Sequence, residues 1–182
     1  MKIKGWIAAV SLLFLLGGCE DQSGPDLEGE ITLSSQLSGT ESYYLFGYSF
    51  EDSEMYRYPR QGDPLPDIIN EGILVIDGSE QRSLPGFNTP GRANGFALVG
   101  EFSSLNEAEE FFGNYRQVED GLQYETVSDT VKLYQVWVQQ TSLGHYAKML
   151  IREIYQGETG TGNPYNEVSL NYHYSNDGSA EF

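Results

Sequence analysis

From Ile31 onward apolar and polar residues alternate with a period of two, in short runs broken by Gly, Pro, Asn and Asp. This is the pattern of half-buried strands bounded by turns. The runs predict strands over Ile31–Gln36, Tyr43–Phe50, Gly72–Ile76, Gly95–Phe102, Thr130–Gln140, Tyr146–Tyr155 and Glu167–Tyr174. One stretch switches to the helical period. Ser104-Leu105-Asn106-Glu107 has the form of a capping box, after which Leu105, Ala108, Phe111, Phe112 and Tyr115 share one face. That predicts a helix over about residues 104–116. The expected fold is mainly β: an antiparallel sheet or sandwich with one short amphipathic helix.

The pattern also divides the chain. Lys2 and Lys4 precede an uncharged apolar run from Trp6 to Leu16, and Leu16-Gly17-Gly18-Cys19 follows. The run is about half the roughly 20 apolar residues that a spanning helix needs, and basic, apolar, then small is the order of a secretory leader. The four-residue end resembles the lipobox of bacterial lipoproteins. The resemblance implies cleavage between Gly18 and Cys19 and acylation of the Cys19 thiol, including palmitate. It makes residues 1–18 a signal peptide and ties the rest to a membrane through lipid; two or more acyl chains give stable attachment. Residues 19–29 are polar and interrupted by Gly and Pro, the composition of a flexible tether with a reach of roughly 15–20 Å. Glu20 and Asp21 resemble the acidic export signals of surface lipoproteins in the Bacteroidetes group. The expected location is the cell envelope, on the periplasmic or surface face of the outer membrane. Residues 30–182 are then one β-rich domain.

Charge narrows the partners. The chain carries 27 acidic and 10 basic side chains, a formal net charge of −17, and loss of Lys2 and Lys4 with the leader makes it more negative. Such a surface repels phosphate backbones, so nucleic acid is not an expected partner. Cys19 is the only cysteine, which leaves no disulfide and no thiolate chemistry in the domain.

Chemistry is sparse. No G-x-S-x-G elbow, H-E-x-x-H helix, Walker loop or paired-cysteine zinc motif occurs in the sequence. Asp77-Gly78-Ser79-Glu80 reads as a turn, and the 13 tyrosines as residues suited to half-buried strands. His145 falls in the turn of a hairpin. On the last strand His173 shares a face with Glu167, Ser169 and Asn171, away from Val168, Leu170, Tyr172 and Tyr174. The segments Tyr56–Asp67 and Leu84–Asn94 hold five of the seven prolines and read as the loops where binding would sit.

Gly144-His145-Tyr146-Ala147-Lys148-Met149-Leu150-Ile151 and the closing Tyr172-His173-Tyr174-Ser175-Asn176-Asp177-Gly178-Ser179-Ala180-Glu181-Phe182 are similar to the C-terminal end of the HmuY-like haem-binding lipoproteins. Val136-Trp137-Val138-Gln139-Gln140-Thr141 looks like that family's preceding strand. The resemblance implies a β-dominated envelope lipoprotein gripping haem between two axial histidines or methionines. The side chains competent for that here are His145, His173, Met149 and Met55. The family's Trp-Asp motif is replaced by Pro66-Asp67-Ile68-Ile69.

Three readings follow. The first is a non-catalytic, lipid-anchored β-domain that binds a small ligand or an envelope protein, with no catalytic residues and no metal. The second is haem binding, the one cofactor that the sequence suggests. The third is a carboxylate-dependent glycan hydrolase, whose mark would be two carboxyl groups across an open cleft.

Overall fold

Because period-two residues point alternately to opposite faces, each long apolar run here can feed two cores, and it does. The computed structural model describes residues 25, 27–40, 42–128 and 130–182. The lipobox, Cys19 and most of the tether lie outside the described residues. In chain order the elements are β1 (Glu28–Ser34), β2 (Leu45–Ser49), β3 (Glu54–Tyr58), β4 (Ile69–Asn70), β5 (Ile73–Asp77), β6 (Glu80–Leu84) and β7 (Phe87–Asn88). They continue with β8 (Phe96–Glu101), α1 (Leu105–Asn114), β9 (Gln135–Gln140), β10 (Tyr146–Glu158) and β11 (Pro164–Ser175). The fold is mainly β and antiparallel with one short helix. Five strands form the main sheet in the order β1-β11-β10-β9-β8, and β2-β3, β4-β7 and β5-β6 form two-stranded ribbons.

One face of the main sheet packs on the ribbons. Val168, Leu170, Tyr172 and Tyr174 from β11, Met149 and Ile151 from β10, and Trp137 from β9 meet Tyr48, Phe50, Ile68 and Phe87 there. A fully buried side chain of this size contributes about 1.5–3 kcal/mol, so this layer carries most of the fold. Gly47 lets β2 lie directly on β4: a Cβ at that position would stand 2.4 Å from Ile69 Cγ2. The opposite face takes the helix, with Val136 and Leu150 against Ala108, flanked by Leu105, Phe111 and Phe112. The result is three layers: helix, sheet, ribbons. Every described element and both cores lie within residues 28–182, so a chain beginning after Cys19 keeps them all.

The helix starts as its sequence dictates, with the Ser104 hydroxyl accepting from the Glu107 N–H at 3.4 Å. The return arm differs from a capping box. Glu107 Oε2 accepts from the Ser103 N–H (3.3 Å) and hydroxyl (2.8 Å), one residue before the cap. The last turn holds no basic residue. Instead Lys148, projecting from β10, donates from Nζ to the carbonyls of Phe112 and Tyr115, each at 2.8 Å. The residue is 1% exposed.

Several boundaries differ from the sequence expectation. The strand expected from Thr130 begins only at Gln135, because Tyr134 adopts φ 64° and the Gln135 side chain accepts from the Lys132 N–H at 2.8 Å. The first strand begins at Glu28, within the stretch read as tether, because Glu28 and Gly29 pair with His173 and Tyr172. Tyr56–Tyr58, read as loop, pairs with β2. Polar Glu80–Leu84 pairs with β5 through the expected Gly78-Ser79 turn, where Gly78 takes φ 62°. The Leu84–Asn94 segment is no free loop: Phe87 is fully buried and Thr89 nearly so. On β10 a bulge at Arg152 adds one residue, so that Ile154 and Ile151 face the same core despite their three-residue spacing.

Candidate functional site

Burial falls off along β8, from Phe96 at 0% to Leu98 at 44% exposed. Over this end of β8 and β9 the chain forms a cleft of about 510 Å³, within the roughly 300–1,000 Å³ range of small-molecule sites. Strand residues Phe96, Leu98, Gln135 and Trp137 line it, together with Gln123, Glu125, Thr130 and Lys132 from the preceding segment and Glu101 at the end of β8. Reciprocal backbone bonds between Phe96 and Glu125, at 3.0 and 2.7 Å, hold that segment on the sheet edge.

The polar groups are tied into a chain. Trp137 Nε1 donates to Gln135 Oε1 at 3.1 Å, and Gln135 Nε2 donates to Glu101 Oε2 at 2.7 Å. Lys132 Nζ stands 3.3 Å from both Glu101 oxygens. Gln135 is 2% exposed, so its amide is fixed by the sheet, and through it the carboxylate orientation is fixed too. The Gln135 bond first, and Lys132 second, hold the Glu101 carboxyl below the usual range and keep it ionised. As an exposed ion pair, Lys132–Glu101 adds little stability. What it supplies is a donor and an acceptor held side by side at the mouth of an open cleft.

A second cleft of about 650 Å³ lies between Leu37, Tyr43 and the β10–β11 tip around Thr159–Tyr165, and no charged side chain lines it. Volume alone does not make a site; convergent polar groups fix a ligand's orientation. Both clefts carry neutral polar groups, but of the two the Trp137 cleft adds charged ones, Glu101, Glu125 and Lys132.

The sequence candidates fall elsewhere and are not brought together. Met149 is fully buried among Trp137, Ala147 and Ile151 in the core, where no ligand reaches it. Met55 is 42% exposed on β3. His145 and His173 lie against opposite faces of the main sheet. His145 Nδ1 is 2.8 Å from the Tyr174 hydroxyl and 3.0 Å from Glu51 Oε2, on the ribbon side. The Tyr174 hydroxyl itself donates to Glu51. Burial and that carboxylate push the Tyr174 phenol far above its ordinary pKa. Asp67 lies nearby, its carboxyl accepting from the Phe50 N–H at 2.9 Å and pushed up by burial. His173 is on the helix side, where its ring centroid lies 6.3 Å from that of Phe182. Burial and the adjoining Lys148 lower its pKa. The shared strand segments that carry the HmuY-like resemblance do structural work here: Ala147 packs in the core and Lys148 caps the helix.

Sequence reasoning missed Glu101, Gln135 and Trp137. A signal was present. Gln135 and Gln139 flank Trp137 on the face that alternation assigns to the core, and an amide on a core face must have a fixed partner. Among the described residues no group of three or more His, Cys, Asp or Glu side chains is placed to hold a metal ion. No protein-family model matches the chain, and no curated protein matches it.

Proposed function

We propose that this is a lipid-anchored envelope protein, attached to the outer membrane through Cys19, whose β-domain binds a ligand non-catalytically in the Trp137 cleft. The observation that carries the binding reading is the Trp137–Gln135–Glu101–Lys132 chain. Trp137, Gln135 and Glu101 stand on strands and are bonded to one another before any ligand arrives, with Lys132 held against Glu101 from the segment before β9, so little ordering entropy is lost on binding. Glu101 and Glu125 both line the cleft, the pair of carboxyls that glycosidic cleavage would use. Capture is favoured because Glu101 is engaged by Gln135 and Lys132, which hold it ionised and fix it as an acceptor. The anchoring half rests on the lipobox and tether composition.

Two experiments test it. Cells expressing the full chain should incorporate labelled palmitate into it, and Cys19→Ser should abolish the label; retention of label in the variant would remove the anchor. For the cleft, a fragment library screened by amide NMR on residues 20–182 should shift resonances around Glu101 and Gln135–Trp137. Shifts confined to the Leu37–Tyr165 cleft would move the site there.

A further inference from the structure

Resting on that reading, we infer that the Trp137 cleft recognises a neutral saccharide. Its lining mixes signs at short range: Glu101 and Glu125 accept, Lys132 donates, and Gln123 and Thr130 can do both. A ligand hydroxyl also donates and accepts, so a chain of hydroxyls can meet all of these groups in turn. An anion would confront Glu101 and Glu125 within a domain of strong net negative charge. A cation would confront the Lys132 ammonium and find Glu101 already engaged by Lys132 and Gln135. Leu98, 44% exposed in the same cleft, offers an apolar surface for the C–H face of a sugar ring. Gln135 is a positioning residue: buried and bonded at both ends of its amide, it acts on a ligand through Glu101.

The chain supplies its own probe. Trp6 and Trp137 are the only tryptophans, so emission from residues 20–182 reports Trp137 alone. Maltohexaose, cellohexaose, xylohexaose and chitohexaose would be titrated as neutral probes, against spermidine as a cation and an oligogalacturonide as an anion. At least one neutral oligosaccharide should shift the emission saturably, with affinity nearly unchanged between low and high salt, as expected of an uncharged ligand. Glu101→Ala and Gln135→Leu should each weaken it about tenfold or more, the loss of one charge-assisted hydrogen bond. An unchanged urea midpoint for Glu101→Ala keeps that comparison free of misfolding.

A saturable shift with spermidine or the oligogalacturonide and none with the neutral sugars overturns the saccharide assignment and leaves the cleft as the binding site. No shift with any probe overturns both. Release of reducing ends from a bound oligosaccharide, lost in Glu101→Gln, overturns capture in favour of hydrolysis.

Discussion

Replacing Lys148 with methionine tests how the helix is held to the sheet. The ammonium is the only described side chain bonded to the helix's terminal carbonyls, and it also lies 4.7 Å from the Phe112 ring centroid and 5.1 Å from that of Phe182. Hydrogen bonds from a charged donor contribute about 1.5–3 kcal/mol each, so two lost bonds amount to about 3–6 kcal/mol. Against this, burial, helped by the Arg116 charge, lowers the Lys148 pKa from 10.5 to about 8. That shift corresponds to a desolvation cost of about 3 kcal/mol at neutral pH, which methionine removes. The net expectation is a loss of about 0–3 kcal/mol at pH 7.

The pH dependence is the sharper test. Between pH 8 and 10.5 the unfolded chain holds the Lys148 proton and the folded chain has lost it, so stability rises with pH across that window. Each pH unit is worth about 1.4 kcal/mol, and the wild type should gain about 2 kcal/mol between pH 8 and 9.5. The variant lacks this gain, so its deficit should widen by about that amount. Urea unfolding followed by Trp137 emission at pH 7.0 and 9.5 measures it. A deficit that is constant or narrower at pH 9.5 would refute the account of Lys148 as a desolvated ammonium.

Other consequences are separately testable. Asn70 Nδ2 donates to Asn166 Oδ1 at 2.7 Å and Asn166 Nδ2 to Ser83 Oγ at 2.7 Å, all buried; Asn166→Ala should cost about 2–4 kcal/mol in denaturant unfolding by stranding these partners. A loss under about 0.5 kcal/mol would show the network to be dispensable. Tyr174→Phe should remove one late-ionising phenol from an alkaline titration read at the tyrosinate band, because Tyr174 titrates far above pH 10 in the fold. Above pH 10 tyrosines such as Tyr124, pushed up to about 12 by burial, hold protons that the unfolded chain has lost, so stability should fall there. Haemin added to residues 20–182 should give no saturable Soret shift dependent on both His145 and His173, since the sheet separates them; such a shift would restore the haem reading.

The strands were legible wherever one face of the sheet is apolar, because alternation is a local property: Val168, Leu170, Tyr172 and Tyr174 announce β11 by themselves. The helix was legible for the same reason, with Ser104 marking its start. What failed was non-local. Glu80–Leu84 is polar throughout most of its length and becomes a strand only by pairing with β5. Tyr134 ends the extended run through a positive φ that no propensity predicts. The helix C-terminus is capped by a lysine more than thirty residues away, so the sequence near Asn114 gives no sign of it. The cleft was illegible because Glu101, Glu125 and Lys132 meet only once β8, β9 and the intervening segment are in place. The two histidines were conspicuous as residue types, but type does not reveal which face of a sheet a side chain takes.

The position of β1 has a mechanical meaning. Its first residue, Glu28, enters the ladder beside His173, at one edge of the five-stranded sheet, while the Trp137 cleft sits at the opposite edge on β8 and β9. Under the proposed reading, tension between the anchor and a captured ligand would run across the main sheet from β1 to β8, so the seven-pair β1–β11 register from Glu28 to Ser34 would be the first to carry it.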